Sequence, residues 1–174
     1  MTLVYLWLAL AAPPDPSLLA LREGPIDFRC DHGQAYSKPR RWLCRQNVVV
    51  RRADLLLCCE EFEGYQGDDG KWQRFVCSKN VRARRAAEMM WADRATFVVE
   101  TSDLILTGKP LLQRGKTILR GERIVVDTKY EQARIEQPRG HFEPASFDTT
   151  SVNQAAFQGA LPARCPIPNR GAAP

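Results

Sequence analysis

Apolar and polar residues alternate along most of the chain beyond Gly24, in short runs separated by turn residues. The runs are rich in Val, Ile, Leu, Phe and Tyr, and the breaks include Ser37-Lys38-Pro39 and Gly67-Asp68-Asp69-Gly70. A period of two is typical of β-strands that bury one face, because successive side chains point to opposite sides of the strand. The pattern therefore predicts an all-β protein in which each strand has one apolar face.

The chain also repeats itself. The segments FRCDHGQAY, LCCEEFEGY, MWADRATFV and LRGERIVVD begin at Phe28, Leu57, Met90 and Leu119, so their spacings are 29, 33 and 29 residues. Each contains an apolar residue, one intervening position, a small residue and then usually an acid. Between them lies a second repeated strand, with the sequences WLCRQNVVV, FVCSKNVRA and LILTGKPLL. The repeating unit is thus two strands and two turns.

The alternation assigns a face to each strand. Shared parity across the repeats predicts that ten residues point inward: Val48, Val50, Phe75, Val81, Phe97, Leu104, Leu106, Ile118, Ile124 and Val126. In the first strand type the inward residues Ala92 and Ala95 are three apart, which predicts a β-bulge in each repeat. An ordinary β-sandwich that uses these faces only as a core is the alternative, and it predicts no ligand.

Charge and candidate chemistry change this picture little. The net charge of +5 permits nucleic acid, an anionic membrane or acidic ligands as partners. Only His32 and His141 are histidines, and the chain has neither a supported catalytic triad nor zinc-type cysteine spacing. We therefore expect no enzymatic activity, no cofactor, no metal site and no nucleic-acid partner.

The two ends of the chain differ from the repeats. Residues 3–12 form an uncharged apolar run followed by Pro13-Pro14, which is typical of a secretory signal; a buried strand or helix is the alternative. We expect a signal peptide and leader over residues 1–24, a β-domain over 25–140 and a C-terminal extension over 141–174. The end of that extension, residues 160–174, is rich in Pro, Ala and Gly and is expected to be disordered.

The sequence DLILTGKPLLQRGKTILRGERIVVDTKYEQARIE, residues 103–136, resembles the OstA-like motif of LptA and related lipopolysaccharide-transport proteins. Arg45-Gln46-Asn47-Val48 and Ser78-Lys79-Asn80-Val81 are similar to the family's Gly-Asn-Val, and Met90-Trp91-Ala92-Asp93 is similar to its Ala-Asp element. The resemblance covers about residues 27–139. Gln46 and Lys79 replace the usual glycine and Pro110 the usual valine, which affects the expected turn geometry but not the expected fold.

The resemblance implies a folded-over antiparallel sheet, called a β-jelly roll or β-taco, whose trough holds acyl chains. The ten inward residues would line that trough. It also implies a periplasmic protein that binds lipopolysaccharide and bridges the inner and outer membranes together with membrane components of the same pathway. Units would join end to end as homo-oligomers through free strands near residues 27–35 and 124–136. A non-lipid adaptor or structural β-domain of an envelope complex is the alternative.

The basic residues Arg82, Arg84 and Arg85 have two interpretations. They could meet the phosphates of a lipid headgroup at the rim of the trough. A solvated basic turn is the interpretation that we favour.

The even number of cysteines, six, and their mostly wide spacing fit disulfides in an oxidising compartment, whereas buried reduced thiols are the alternative. Pairing Tyr65 with Trp72 across one hairpin, with one bulged residue, brings Cys59 opposite Cys77. Pairing Tyr36 with Pro39 similarly brings Cys30 opposite Cys44, within disulfide range. The third hairpin would have Ala92 facing Leu106. We predict disulfides Cys30–Cys44 and Cys59–Cys77, with Cys58 and Cys165 free; strands stacked as parallel rungs would instead give Cys30–Cys59 and Cys44–Cys77.

Overall fold

A computed structural model describes residues 25–128, 132–141 and 160–170. These residues form a 12-stranded antiparallel sheet with the main strand order β1-β3-β4-β5-β6-β7-β10-β11, in which β2 also pairs with β3, β8 pairs with β6 and β9, and β12 pairs with β9. The strands are β1 (Ile26–Arg29), β2 (His32–Ser37), β3 (Arg40–Arg52), β4 (Leu55–Gln66), β5 (Trp72–Arg85), β6 (Glu88–Val98), β7 (Asp103–Thr107), β8 (Leu111–Arg114), β9 (Thr117–Arg120), β10 (Arg123–Asp127), β11 (Gln132–Glu136) and β12 (Arg139–His141). The all-β antiparallel fold predicted from the sequence is confirmed.

The order of pairing reveals a meander of long strands, some of which are interrupted near the middle. Strands β3, β4, β5 and β6 run through, whereas β1 and β2, β7 and β8, β9 and β10, and β11 and β12 are halves of longer strands. For example, β6 pairs with β7 through its second half and with β8 through its first half. Each interruption lies at the same level of the meander.

The interruptions divide the sheet into two half-sheets. Half-sheet 1 contains β2, residues 40–45 of β3, 61–66 of β4, 72–78 of β5, 94–98 of β6, and strands β7, β10 and β11. Half-sheet 2 contains β1, residues 48–52 of β3, 55–58 of β4, 81–85 of β5, 88–92 of β6, and strands β8, β9 and β12. We call the line between them the crease.

Pairs of residues with left-handed backbone mark the crease on every second long strand. They are Gln46 (φ 64°) and Asn47 (48°), Lys79 (66°) and Asn80 (52°), and Gly108 (74°) and Lys109 (52°). The pairing register shifts at the first two pairs, between Arg45 and Val48 and between Ser78 and Val81. An extra residue in one strand bends that strand, so a row of such bulges folds the sheet over.

The predicted bulge is therefore present, but its left-handed residues lie on the second strand type and not on the first. In the first strand type, the spacing of inward-facing residues changes from two to three at the bend, since Ala92 and Ala95 are both buried in the core. Gln46 and Lys79 adopt left-handed backbone although the family's glycine is missing, so the turn geometry is preserved.

The acid of the repeat lies against the crease of the neighbouring strand. The backbone N–H of Asp31 donates to the Gln46 carbonyl at 3.0 Å, and that of Asp93 donates to the Gly108 carbonyl at 3.0 Å. Gly108 has no room for a side chain, because a Cβ there would come within 2.5 Å of the Asp93 Cβ. The repeated small-residue-then-acid element is thus the partner of the bulge.

A salt bridge also spans the crease between β4 and β5. The Lys79 ammonium donates to the Glu61 carboxylate at 2.8 Å. This hydrogen bond lowers the pKa of Glu61, although the pair remains accessible to solvent. An exposed pair of this kind adds little stability, so its main effect is to orient the Lys79 side chain.

Folding at the crease brings the apolar faces of the two half-sheets together. One cluster of buried residues draws on both: Cys44, Phe62, Phe75, Cys77, Ala95, Phe97, Leu104, Leu106, Ile124 and Val126 from half-sheet 1, and Val48, Val50, Leu55, Leu57, Cys59, Val81, Ala83, Met90, Ala92 and Leu112 from half-sheet 2 and its border. The folded-over architecture implied by the resemblance is therefore present.

Two expectations about register and facing are wrong. Ile118 does not point inward: β9 pairs Leu119 with the core residue Leu112, so strand alternation turns Ile118 to the outer face beside Gln113. The hairpins are also shifted from the predicted register. Tyr65 pairs with Arg74, Ser37 pairs with Arg40, and Leu106 pairs with Ala95.

The C-terminal extension is partly ordered. Residues 160–170 cross the outer face of half-sheet 2, where Ile167 is buried against Val49, Leu56 and Cys58. Residues 160–170 were expected to be disordered, and the structure places them in this packed position without helix or strand, while residues 171–174 lie outside the described part. The expected leader, residues 1–24, also lies outside it. Within residues 25–128, 132–141 and 160–170, no helix is long and apolar enough to cross a membrane.

The left-handed backbone at the crease predicts that glycine is tolerated there. Gln46→Gly is expected to raise the free energy of unfolding by up to about 1 kcal/mol. The left-handed conformation costs an L-residue about 1–2 kcal/mol, whereas the extra chain entropy that glycine loses on folding costs only roughly 0.5–1 kcal/mol. Gln34→Gly in β2, an exposed residue with ordinary strand backbone, is the matched control and should lower it by roughly 0.5–1 kcal/mol. Urea unfolding measures both; an equal loss in the two variants would contradict the assigned strain.

Candidate functional site

An apolar pocket opens between the two half-sheets. It encloses about 420 Å³, including space open to solvent, and is lined by Ile26, Val50, Arg52, Leu55, Leu57, Phe62, Phe75, Cys77, Ala95, Phe97 and Leu104. Arg52 is the one charged residue among the lining side chains. Such a wall suits a hydrocarbon ligand, because it offers dispersion contacts and almost no hydrogen-bonding group.

We call this apolar pocket the trough. Aromatic rings form one wall of it. Phe62 stacks on Phe75 with ring centroids 5.6 Å apart and an interplanar angle of 7°. Trp72 lies 5.1 Å from Phe75, and Phe28 lies 5.6 Å from Phe62. Gly64 makes this packing possible, because a Cβ there would come within 2.8 Å of the Trp72 ring.

The aromatic wall is open at the edge of the sheet that β1 and β3 form. Phe28 and Trp42 face inward on β1 and β3, yet they remain 40% and 41% exposed. Their ring centroids are 6.2 Å apart. Exposed aromatic side chains beside an apolar trough extend its apolar surface to the edge of the described sheet.

Arg52 was not identified by the sequence analysis, although the signal was present. The guanidinium lies over the Phe97 ring, 4.5 Å from its centroid. It follows Val48 and Val50 at the same parity on β3, so one further step of the alternation would have placed it inside. A cation at the edge of an apolar pocket provides a contact for an anionic group attached to an apolar ligand.

Nine of the ten residues predicted to face inward lie in the shared core, with Ile118 as the exception. Four of them line the pocket: Val50, Phe75, Phe97 and Leu104. The others, Val48, Val81, Leu106, Ile124 and Val126, belong to the core away from this opening. Parity therefore identified the face, but it did not distinguish lining residues from filled core.

The basic residues near the end of β5 are not arranged as either sequence interpretation expected. Arg82 lies on the outer face and donates from Nη1 to the Ile167 carbonyl at 3.0 Å. Arg85 is buried, and its Nε donates to the Asp54 carboxylate at 3.1 Å. These two guanidinium groups hold the chain together and do not form a solvated turn.

The structure contains three disulfides. Two of them join the pairs that the register predicted, Cys30 with Cys44 and Cys59 with Cys77, with Cα–Cα distances of 5.7 and 5.8 Å. Each connects residues on either side of the crease. The pairs form although the predicted hairpin register was shifted. The direct strand partner of Cys77 is Phe62, and the bulge brings Cys59 next to Cys77 as well.

The expectation that Cys58 and Cys165 are free is wrong. They form the third disulfide, with Cα atoms 5.9 Å apart, and the six cysteines are all paired. Cys58 does point away from Cys59, as the alternation required. No periodic pattern of the chain predicts that residues 160–170 return to that outer face.

Comparison with known proteins gives the family. The family model described as the LptA/(LptD N-terminal domain) LPS transport protein matches residues 29–132, which include the crease and most of the trough. The chain belongs to this family. The family is a lipid-transport family and not an enzyme family.

A solved structure of the LPS transport family shows the same fold. The chain is similar to LptH of Pseudomonas aeruginosa, described as the LptA-homologous periplasmic component of the lipopolysaccharide transport device, with a TM-score of 0.63 and 15% sequence identity. The match covers 71% of this chain and 98% of LptH. No curated protein matches the sequence.

The crease disulfide Cys59–Cys77 predicts a measurable loss when it is replaced by apolar residues. The double variant Cys59→Ala, Cys77→Leu copies the residues that occupy the same element in the third repeat, Ala92 and Leu106. It should fold, yet its free energy of unfolding should fall by about 2–4 kcal/mol, because the cross-link no longer restricts the unfolded chain.

Urea unfolding under non-reducing conditions measures the difference, and non-reducing peptide mapping first establishes the three pairs. As a matched control, both proteins are compared with all thiols reduced. The difference between their free energies of unfolding should then shrink. A double variant as stable as the oxidised wild type would contradict a stabilising role of this disulfide.

Proposed function

We propose that this chain is a periplasmic lipid-binding protein that carries lipopolysaccharide as one unit of a bridge between the inner and outer membranes. The observation that supports it most directly is the apolar trough between the half-sheets, with its single charged lining residue, Arg52. Family membership supports the lipid class. The chain would shield acyl chains from water while they cross an aqueous compartment.

The chemistry of the trough suits acyl chains. Each methylene moved from water into an apolar site contributes about 0.8 kcal/mol, so several buried methylenes outweigh the loss of motion on binding. The stacked rings of Phe62 and Phe75 give a flat apolar wall that does not require a particular ligand shape. Arg52 would contact a phosphate or carboxylate at the end of the apolar part.

The ends of the sheet support the bridging role. Strands β2 and β11 end half-sheet 1, and β1 and β12 end half-sheet 2; in the described part of the chain each pairs on one side only. An unpaired edge offers a row of backbone N–H and C=O groups to another strand. We propose that β11 and β12 of one unit pair with β1 and β2 of the next, which would join their troughs.

Lipid capture tests the carrier role. With a photo-crosslinking phenylalanine analogue at Phe75 or Phe97, we expect cross-links to lipopolysaccharide in cells, because both rings line the trough. The matched controls are Val76 and Thr96, one position along the same strands, whose side chains point to the outer face. Equal capture at both faces, or none at Phe75 and Phe97 in folded protein, would contradict lipid carriage and favour an adaptor without lipid.

End-to-end pairing predicts association that depends on concentration. Light scattering should show oligomers that grow with protein concentration, and a photo-crosslinker at Gln34 in β2 should link to residues 132–136 of a second copy. Asp69, in the turn between β4 and β5 and away from the edges, is the control position and should not cross-link. A monomer at all concentrations, with no cross-link from Gln34, would contradict stacking of identical units.

A further inference from the structure

The outer face of half-sheet 2 carries a row of residues that the trough does not use. Direct strand pairing aligns Val49 of β3 with Cys58 of β4, Cys58 with Arg82 of β5, and Arg82 with Trp91 of β6. All four side chains lie on the face opposite the trough. Val49, Cys58 and Trp91 are almost completely buried, with 0%, 0% and 2% exposure.

Residues 160–170 cover this row. Ile167 is 2% exposed and packs against Val49, Leu56 and Cys58, while Leu161 and Cys165 pack at the margin of the same cluster. Ile167 is the buried anchor of the segment, since its neighbours Pro166 and Pro168 are exposed.

Side-chain donors of the sheet bind the backbone of the segment. Arg82 Nη1 donates to the Ile167 carbonyl at 3.0 Å, and Trp91 Nε1 donates to the Pro168 carbonyl at 3.1 Å. Asn80 Nδ2 donates to the Asn169 side-chain carbonyl at 3.3 Å. Contacts to successive backbone carbonyls recognise an extended peptide and not merely an apolar side chain.

The spacing of these contacts fits a peptide that crosses the strands at right angles. Cys165 is attached at β4 and Pro168 is bound at β6, so three residues span two strand intervals. Three residues of polyproline-type backbone extend about 9 Å, and two strand intervals measure about 10 Å. Pro162, Pro166 and Pro168 favour this backbone and lack the N–H groups that a strand partner would need.

We propose that the outer face of half-sheet 2 is a binding groove for an extended, proline-flanked aliphatic peptide, and that its ligand is residues 160–170 of the same chain. Ile167 fills the apolar part of the groove, and Arg82 and Trp91 donate hydrogen bonds to the backbone carbonyls of the peptide. The Cys58–Cys165 disulfide fixes the bound segment but is not what makes the groove recognise it. This role is independent of lipid binding in the trough.

The groove also reaches the edge of the sheet. Leu161 shares a surface pocket with Asp27 and Phe28 of edge strand β1 and with Arg51 of β3. The bound segment therefore runs from the edge strand to β6, along the direction of the interstrand hydrogen bonds, and connects five neighbouring strands.

The Trp91 indole N–H reports occupancy of the groove. In the full chain with its disulfides intact, we expect Ile167→Asp to accelerate exchange of the Trp91 indole proton, measured by NMR, at least about tenfold. Ala163→Asp is the matched control, because Ala163 lies in the same segment but is exposed, and it should leave the exchange unchanged. Equal exchange in the two variants and the wild type would overturn the proposal.

A second variant separates recognition from covalent attachment. In the full chain carrying Cys58→Ser and Cys165→Ser, Trp91 should stay protected, and adding Ile167→Asp should remove the protection. Loss of protection in the double serine variant alone would mean that only the disulfide holds the segment. Protection that disappears on dilution would identify the segment of a second copy as the ligand, and both results would overturn the proposal.

Trypsin cleavage provides a readout that needs no cysteine variant. Cleavage after Arg164 and Arg170 in the oxidised wild type should be slow and should accelerate in Ile167→Asp but not in Ala163→Asp. The same cleavage rate in all three proteins would overturn the proposal even if the cysteine variants failed to fold.

Discussion

The left-handed backbone along the crease is the constraint on which the rest of the structure depends. Three pairs of residues there, at Gln46-Asn47, Lys79-Asn80 and Gly108-Lys109, insert an extra step into every second long strand. Without these steps the strands would continue straight, and one apolar face of a large sheet would remain in water. With them, the two halves of each strand turn toward each other and bury their apolar faces in one cluster.

Trough and core are consequences of the same bend. Leu106, Ile124 and Val81 are almost completely buried in the shared core. Phe75, Phe97 and Arg52 line the pocket. The disulfides Cys30–Cys44 and Cys59–Cys77 secure the first two repeats across the crease. Hydrophobic residues take the corresponding positions in the third repeat. Either a disulfide or apolar packing can therefore hold the two sides of the crease together.

The two faces of half-sheet 2 have separate tasks, which strand alternation makes possible. Cys59 points into the trough and Cys58 points away from it, so adjacent residues in one strand form disulfides on opposite faces. The outer face does not remain an exposed apolar surface because residues 160–170 cover it. That arrangement leaves the strand edges as the open backbone of the described sheet, consistent with joining units end to end.

The sequence by itself determined the all-β class, the repeat, the inward face and two disulfide pairs, because a period of two and a repeated register are local properties of the chain. Tertiary structure decided the rest. Ile118 faces outward because its pairing with β8 sets the parity after a break in the long strand. Cys58 meets Cys165, 107 residues away, only because the chain returns across the outer face. Contacts between distant segments leave no periodic trace in the sequence, so only the folded chain could reveal them.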